Sequence, residues 1–320
     1  MSLDFFKKHK IFSGFLILII ILIVILLIYL ISVRVGIPKE RNYVSYMKGV
    51  WEPALPYFIA KDMKRIKEDN INIVSLGPII HAPNLVVKIL RQPLIGVIKE
   101  AKKEGIAIHI APQAFGPGPP DPDNLDDETL EEYTSKILEW AEFSEKYGVE
   151  YFSPLNEPNI VMHSERAIEW QNNLLPKIRK VFSGKIIAKW AGADIEHIQA
   201  SKDFDGVMFD IFPPDKEEEL EEFYIELENT VKITSQEAKK LNLTIAIGEF
   251  AIPVYKPERV AEIMPGFIVS EEEQAEFTAK YLDIVMPYYD GVIYCGWSVE
   301  GYGIKEKPVE QVIKEKFAEE

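Results

Sequence analysis

Two glutamates are placed for chemistry because each closes an apolar run. Glu157 follows Tyr151-Phe152-Ser153-Pro154-Leu155-Asn156, and Glu249 follows Ile245-Ala246-Ile247-Gly248. Burial disfavours the charged form of a carboxylate, and a second carboxylate nearby disfavours it further. Such a pair can divide its work, one group moving a proton while the other stays ionised and attacks. The plain alternatives are that these glutamates start helices or belong to buried ion pairs. Rival constellations are missing from the sequence. The five histidines are scattered with no HxH or HExxH spacing, so no metal site is expected. No GxSxG elbow occurs and no Gly-rich phosphate loop follows the first strand-like run, so no cofactor is expected. Cys295 is the single cysteine, which excludes an internal disulfide.

The elements that must position these residues repeat eight times. The pattern predicts strands at 43–50, 71–76, 107–111, 151–155, 185–190, 206–211, 244–249 and 291–297, several of them apolar throughout, as strands buried on both faces must be. Amphipathic stretches between them predict helices over 94–103, 127–147, 165–182, 220–241 and 271–288. Asp127 or Thr129 can cap the second of these, and Ser270 with Glu273 reads as a capping box. The acidic run 215–222 reads as solvated first turns of a helix. Alternating strands and helices give a parallel sheet, and eight repeats close as a (β/α)8 TIM barrel over residues 43–320. The C-terminal ends of barrel strands build the reactive face. Glu157 after the fourth strand and Glu249 after the seventh then lie across its mouth. The same face receives Trp51 and Glu52 from the first strand, His81 from the second and Gln113 from the third. Lys189 and Trp190 come from the fifth, Asp210 from the sixth and Trp297 from the eighth. His109, inside the third strand, reads as a buried, hydrogen-bonded core residue. The segment Gly116-Pro117-Gly118-Pro119-Pro120 is a loop bordering this face.

Asn156-Glu157-Pro158 after the fourth strand, with Glu249 after the seventh, resembles glycoside hydrolase clan A, which comprises retaining β-glycosidases, cellulases, mannanases and galactanases. The resemblance covers residues 43–320 in architecture and rests on these short motifs in sequence. It implies a retaining glycosidase that cleaves a β-linked glycoside or polysaccharide by double displacement. By that resemblance Glu157 is the acid/base, Glu249 the nucleophile, Asn156 the ligand of the sugar 2-hydroxyl, and Trp297 a stacking platform beneath the sugar. The two carboxyl groups of such an enzyme stand about 5–5.5 Å apart. Many members carry an Arg after the second strand and a Tyr after the sixth. Here those regions read Gly77-Pro78 and Asp210-Ile211-Phe212-Pro213, so orienting the nucleophile falls to other residues such as Lys189 or Asp210. A transglycosylase uses the same site, and a non-catalytic carbohydrate-binding or scaffold barrel keeps the shape without turnover.

Upstream of the barrel, residues 11–33 carry no charge and are dominated by Ile and Leu. At this length, about 35 Å as a helix, the segment is expected to be a transmembrane helix lying in the lipid bilayer. Ser32-Val33-Arg34 offers no small-x-small cleavage site, so the run is read as an uncleaved, single-pass signal anchor. Lys7, Lys8 and Lys10 precede it and keep residues 1–10 cytoplasmic, leaving 34–42 as a linker and the catalytic domain extracellular. The formal charge of −15 repels an anionic polymer, so no nucleic acid partner is expected and a carbohydrate is. Protein partners are not legible.

Overall fold

A computed structural model of the chain describes residues 39–53, 59–80, 84–114, 121–258 and 266–319. The apolar run at 11–33, His81 and the proline-rich segment 116–120 lie outside these residues. Among the described residues, no helix is long and apolar enough to cross a membrane.

Eight parallel strands close into a barrel in chain order. They are β1 Met47–Pro53, β2 Ile73–Gly77, β3 Ala107–Ile110, β4 Tyr151–Phe152, β5 Lys185–Ala191, β6 Gly206–Asp210, β7 Thr244–Phe250 and β8 Gly291–Cys295. The seam is a regular ladder from Met47↔Gly291 to Trp51↔Cys295. Two strands depart most from the runs expected of them. β4 stops before Pro154, which has no N–H for the ladder, although Ser153 N still donates to Ile110 O at 2.9 Å and Asn156 N to Pro112 O at 2.8 Å. β1 begins at Met47 instead of 43, because residues 41–44 run across the floor of the barrel.

The floor contacts are specific. Arg41 donates to Val149 O at 2.8 Å and pairs with Glu145 at 2.5 Å. Asn42 Nδ2 donates to Gly105 O at 3.0 Å, and Val44 N to the Tyr151 hydroxyl at 3.1 Å. Gly148, at φ +64°, has its α-carbon so close to Lys39 that a Cβ there would lie 2.5 Å from the Lys39 carbonyl oxygen. Residues 39–42, which the sequence places in a linker, are thus bonded to the barrel.

The helices surround the sheet: α1 Met63–Glu68, α2 Asn84–Lys103, α3 Asp127–Lys146, α4 Pro158–Met162, α5 Ser164–Ile178, α6 Ile195–Ala200, α7 Leu220–Lys240, α8 Glu271–Val285 and α9 Pro308–Ala318. The capping box at Ser270 and Glu273 is present, whereas α3 is capped by Asp126, which accepts from Thr129 N at 2.8 Å, one residue before the expected position. Inside the barrel, His109 joins Ser75 at 2.8 Å through Nδ1 and Ser153 at 2.8 Å through Nε2. Burial, aided by the charge of Lys189, pushes its pKa down to about 3, so it is a neutral bridge between three strands.

Candidate active site

The mouth is built by residue direction. On β5, successive side chains point to opposite faces, so Lys189 and Trp190 cannot both enter it. Lys189 points inward and is fully buried. Trp190 points outward, stacks on His197 with centroids 4.4 Å apart and donates its indole N–H to Ser201 Oγ at 3.0 Å. This corrects the placement of Trp190 on the substrate face.

β7 departs from alternation in a useful way. Its pairing with β6 runs Phe209↔Ile247 and then Asp210↔Glu249, so one extra residue, Gly248, is accommodated as a bulge. A bulge re-aims the side chain that follows it. A Cβ on Gly248 would lie 2.5 Å from Asp210 Oδ1 and 2.7 Å from Lys189 Cε, so the glycine supplies space inside the barrel while Glu249 also turns inward. A glycine inside an apolar strand run was the only sequence signal of this arrangement.

Glu157 reaches the mouth through backbone strain. It sits at φ 49°, ψ 54°, a left-handed conformation that costs a non-glycine residue roughly 1–2 kcal/mol. Pro158, with no N–H to place, starts α4 immediately after it. Glu157 thus stands at a helix start, but its side chain makes no capping hydrogen bond to that helix.

One ammonium connects the groups. Lys189 Nζ donates to Asp210 Oδ2 at 2.7 Å and also to Asn156 Oδ1 and Glu249 Oε1. Asn156 Nδ2 donates in turn to Glu157 Oε2 at 3.3 Å. Glu249 is therefore a member of a buried ion pair, with Glu157 two links away. Burial opposes the charge on Lys189, but the carboxylates of Asp210, Glu249 and Glu157 together outweigh it and raise its pKa. A single ammonium cannot neutralise three carboxylates. Burial first, and then the charge of Glu249, push Glu157 up to about 7, against the pull of Lys189. Burial likewise pushes Asp210 well above the usual carboxylate range.

The other expected residues divide. Trp51 is buried against this cluster, its ring centroid 5.7 Å from Lys189 Nζ and its indole N–H without a partner among the described residues. Gly77 makes room beside it, since a Cβ there would lie 2.5 Å from Gln113 Nε2 and 3.0 Å from the Trp51 ring. Gln113 therefore joins the same wall. Glu52 turns to Ser298, accepting from its N at 3.2 Å and its Oγ at 2.9 Å. Trp297 is not brought to the cluster. β8 ends at Cys295, and the Trp297 indole donates to Asp62 at 2.9 Å beneath the Arg65 guanidinium with 0% exposure, so no ring face is open for a sugar.

No family model matches the chain, and no curated protein matches its sequence. Solved structures do match it in shape. The chain shares its (β/α)8 fold with several glycoside hydrolases. A glycoside hydrolase family 113 β-1,4-mannanase superposes with a TM-score of 0.68 at 16% identity, covering 87% of this chain and 100% of that one. A glycoside hydrolase family 5 mannosidase from Rhizomucor miehei gives 0.59 at 11% identity, covering 85% and 92%. A β-glucuronidase from Ruminococcus gnavus gives 0.62 at 15% identity, covering 86% of this chain and 50% of that one. At such identities the likeness to glycoside hydrolases is one of fold.

Proposed function

We propose that the chain is a retaining glycosidase for a neutral β-linked sugar. The observation that carries this reading is the mouth itself, where Glu157 is pushed up to about 7 while Glu249 is paired with a buried ammonium. Glu157 is thereby suited to carry a proton, and Glu249 is held in place by the ammonium. In the first step a Glu249 oxygen bonds to the anomeric carbon as the bond to the leaving oxygen breaks, and that oxygen takes the Glu157 proton. In the second, water attacks the same carbon, gives its proton to Glu157 and releases Glu249. Lys189 is no nucleophile, because its raised pKa keeps the amine protonated. All three ammonium donors are committed to groups of the protein, so none is left to bind an anionic sugar. The neighbours named as mannanases and mannosidases make β-mannosides the first substrates to try.

Azide separates the roles. Glu157→Ala should still glycosylate Glu249 from a dinitrophenyl glycoside, lose about 10²–10⁴-fold on a poor leaving group, and with azide give a glycosyl azide of retained configuration. Glu249→Ala should give the inverted azide. The opposite stereochemistry in the two variants reverses the roles, and no turnover of any aryl glycoside by the wild-type chain favours a carbohydrate-binding barrel instead.

The apolar run at 11–33 supports a membrane anchor with the catalytic domain outside. Removing residues 1–34 should leave a soluble, active barrel. An insoluble fragment beside an active detergent-solubilised full chain would count against that boundary.

A further inference from the structure

We propose that Lys189 positions both the nucleophile Glu249 and the sugar-facing amide of Asn156, with Asp210 as its third acceptor and Gly248 as the space that admits it. This rests on the glycosidase reading above.

An ammonium has three N–H donors and no acceptor. Here those donors go to Asn156 Oδ1, Asp210 Oδ2 and Glu249 Oε1, so none is left for a substrate. Lys189 therefore acts through its partners. A pure donor on Asn156 fixes which end of that amide faces inward, and the NH2 group is left toward Glu157 and the mouth, as its 3.3 Å bond to Glu157 Oε2 records. The same ammonium holds one Glu249 oxygen and leaves the other for attack. Two groups that must meet one sugar ring are thus referenced to a single atom.

The surroundings are shaped for a lysine. The Gly248 α-carbon packs so closely on Lys189 Cε and Asp210 Oδ1 that even a methyl group would collide with both. A planar guanidinium needs more width than this and cannot present its donors to three acceptors around one point. Beside β2, where an arginine would enter from the other wall, the space next to Gly77 holds the Gln113 amide and the Trp51 ring. Asp210 completes the arrangement by accepting the remaining N–H of a fully buried cation at 2.7 Å.

The experiment compares wild type with Lys189→Met, Asp210→Asn, the double variant of both, and Gly248→Ala. Readouts are kcat and KM on an aryl β-glycoside, thermal melting, and the rate of covalent labelling by a 2,4-dinitrophenyl 2-deoxy-2-fluoro-β-glycoside of the sugar that wild type cleaves fastest. Lys189→Met should lower kcat and the labelling rate together by about 10²–10³-fold, as loss of a preorganised electrostatic donor does, with KM changed far less. Its melting temperature should fall, because Asp210 is left buried and unpaired. The double variant should regain the melting temperature without regaining kcat. Gly248→Ala should slow labelling while every charge is retained. Recovery of kcat with the melting temperature in the double variant, or wild-type labelling in Lys189→Met, makes the lysine a structural group only and overturns the inference while leaving the glycosidase reading intact. A wild-type chain that neither turns over nor becomes labelled overturns that reading, and the inference with it.

Discussion

The two ends of the barrel bury the same ingredients and use them differently. At the floor, Glu150 is fully buried and accepts from Asn42 N at 3.0 Å, Ile108 N at 2.9 Å and Lys102 Nζ at 2.9 Å. One ammonium meets one carboxylate, and Lys102 also reaches Glu40 O at 2.9 Å. At the mouth, one ammonium is shared among Asp210, Glu249 and Asn156, with Glu157 beside them. Asp210 Oδ1 and the Trp51 indole N–H have no partner there among the described residues. A satisfied network holds structure together, whereas a cluster with polar atoms to spare can still take up a further partner.

The largest expected effect breaks the mouth without loosening the fold. Glu157→Gln should lower kcat/KM on a poor leaving group by about 10²–10⁴-fold and leave the melting temperature equal or higher, since a half-buried, reluctant acid is replaced by a neutral amide. A melting temperature that falls steeply would give Glu157 a structural role. The converse holds at the floor. Glu150→Ala should cost about 3–5 kcal/mol in a denaturant titration, because Lys102 is left as an uncompensated buried charge. The kcat of the folded fraction should hardly move, and a loss comparable to that of Glu157→Gln would erase the distinction between the two ends.

Acidity sharpens the comparison next. With Glu157 pushed up to about 7, the acid form is present below that pH and lost above it, so kcat/KM should decline above about pH 7. The decline should be missing from Glu157→Gln and unchanged in Glu150→Ala, as pH–rate profiles of the three proteins will record. A smaller effect is expected from Trp51→Phe, which keeps the ring beside Lys189 and removes the unmatched donor. Loss of one hydrogen bond of about 0.5–1.5 kcal/mol predicts a KM raised by up to about tenfold with kcat nearly constant. An unaltered KM means that the indole N–H meets no substrate.

The smallest effect tests an exception near the floor. Asp69, beside Glu310 and 3.2 Å from Lys314, is pushed up from 3.8 to about 6, first by burial and then by its hydrogen bond with Glu310. A carboxyl that binds its proton more tightly when folded makes stability fall as pH rises from 3.8 through 6. Asp69→Asn should therefore melt a few degrees above wild type at pH 7, by the usual scale of small stability changes, and match it near pH 4. A lower melting temperature at pH 7 would mean that the Lys314 pair outweighs the repulsion.

The barrel was legible because its strands are apolar runs and its helices are amphipathic, and both periods survive in single residues. Glu157 and Glu249 were legible for the related reason that a carboxylate closing a buried run is conspicuous. What escaped was direction. Alternation alone, applied to Lys189 and Trp190, separates the inward lysine from the outward tryptophan. The same rule fails at Gly248 and Glu249, because the bulge is a property of pairing between strands and not of β7 alone. Trp297 lies beyond the last ladder residue of β8, where the turn sets the side chain, and its partners Asp62 and Arg65 are more than two hundred residues away. The early start expected for β1 failed for a comparable reason. Tyr43 and Val44 have strand-like side chains, but their neighbours Arg41 and Asn42 find fixed partners on the floor.

Those floor contacts also determine how the barrel bears load. A pull on the chain from upstream of residue 39 meets the Arg41 bonds to Val149, Glu145 and Ser183, then Asn42 against Gly105 and Glu150, before it reaches the first rung of β1 at Met47. These bonds fasten the strap to segments around β3, β4 and β5, so tension is spread over several strands and does not peel β1 from its neighbours one pair at a time. The strap is fastened at the end of the barrel opposite Glu157 and Glu249, so a load applied through it would be met at the floor before it reached the mouth.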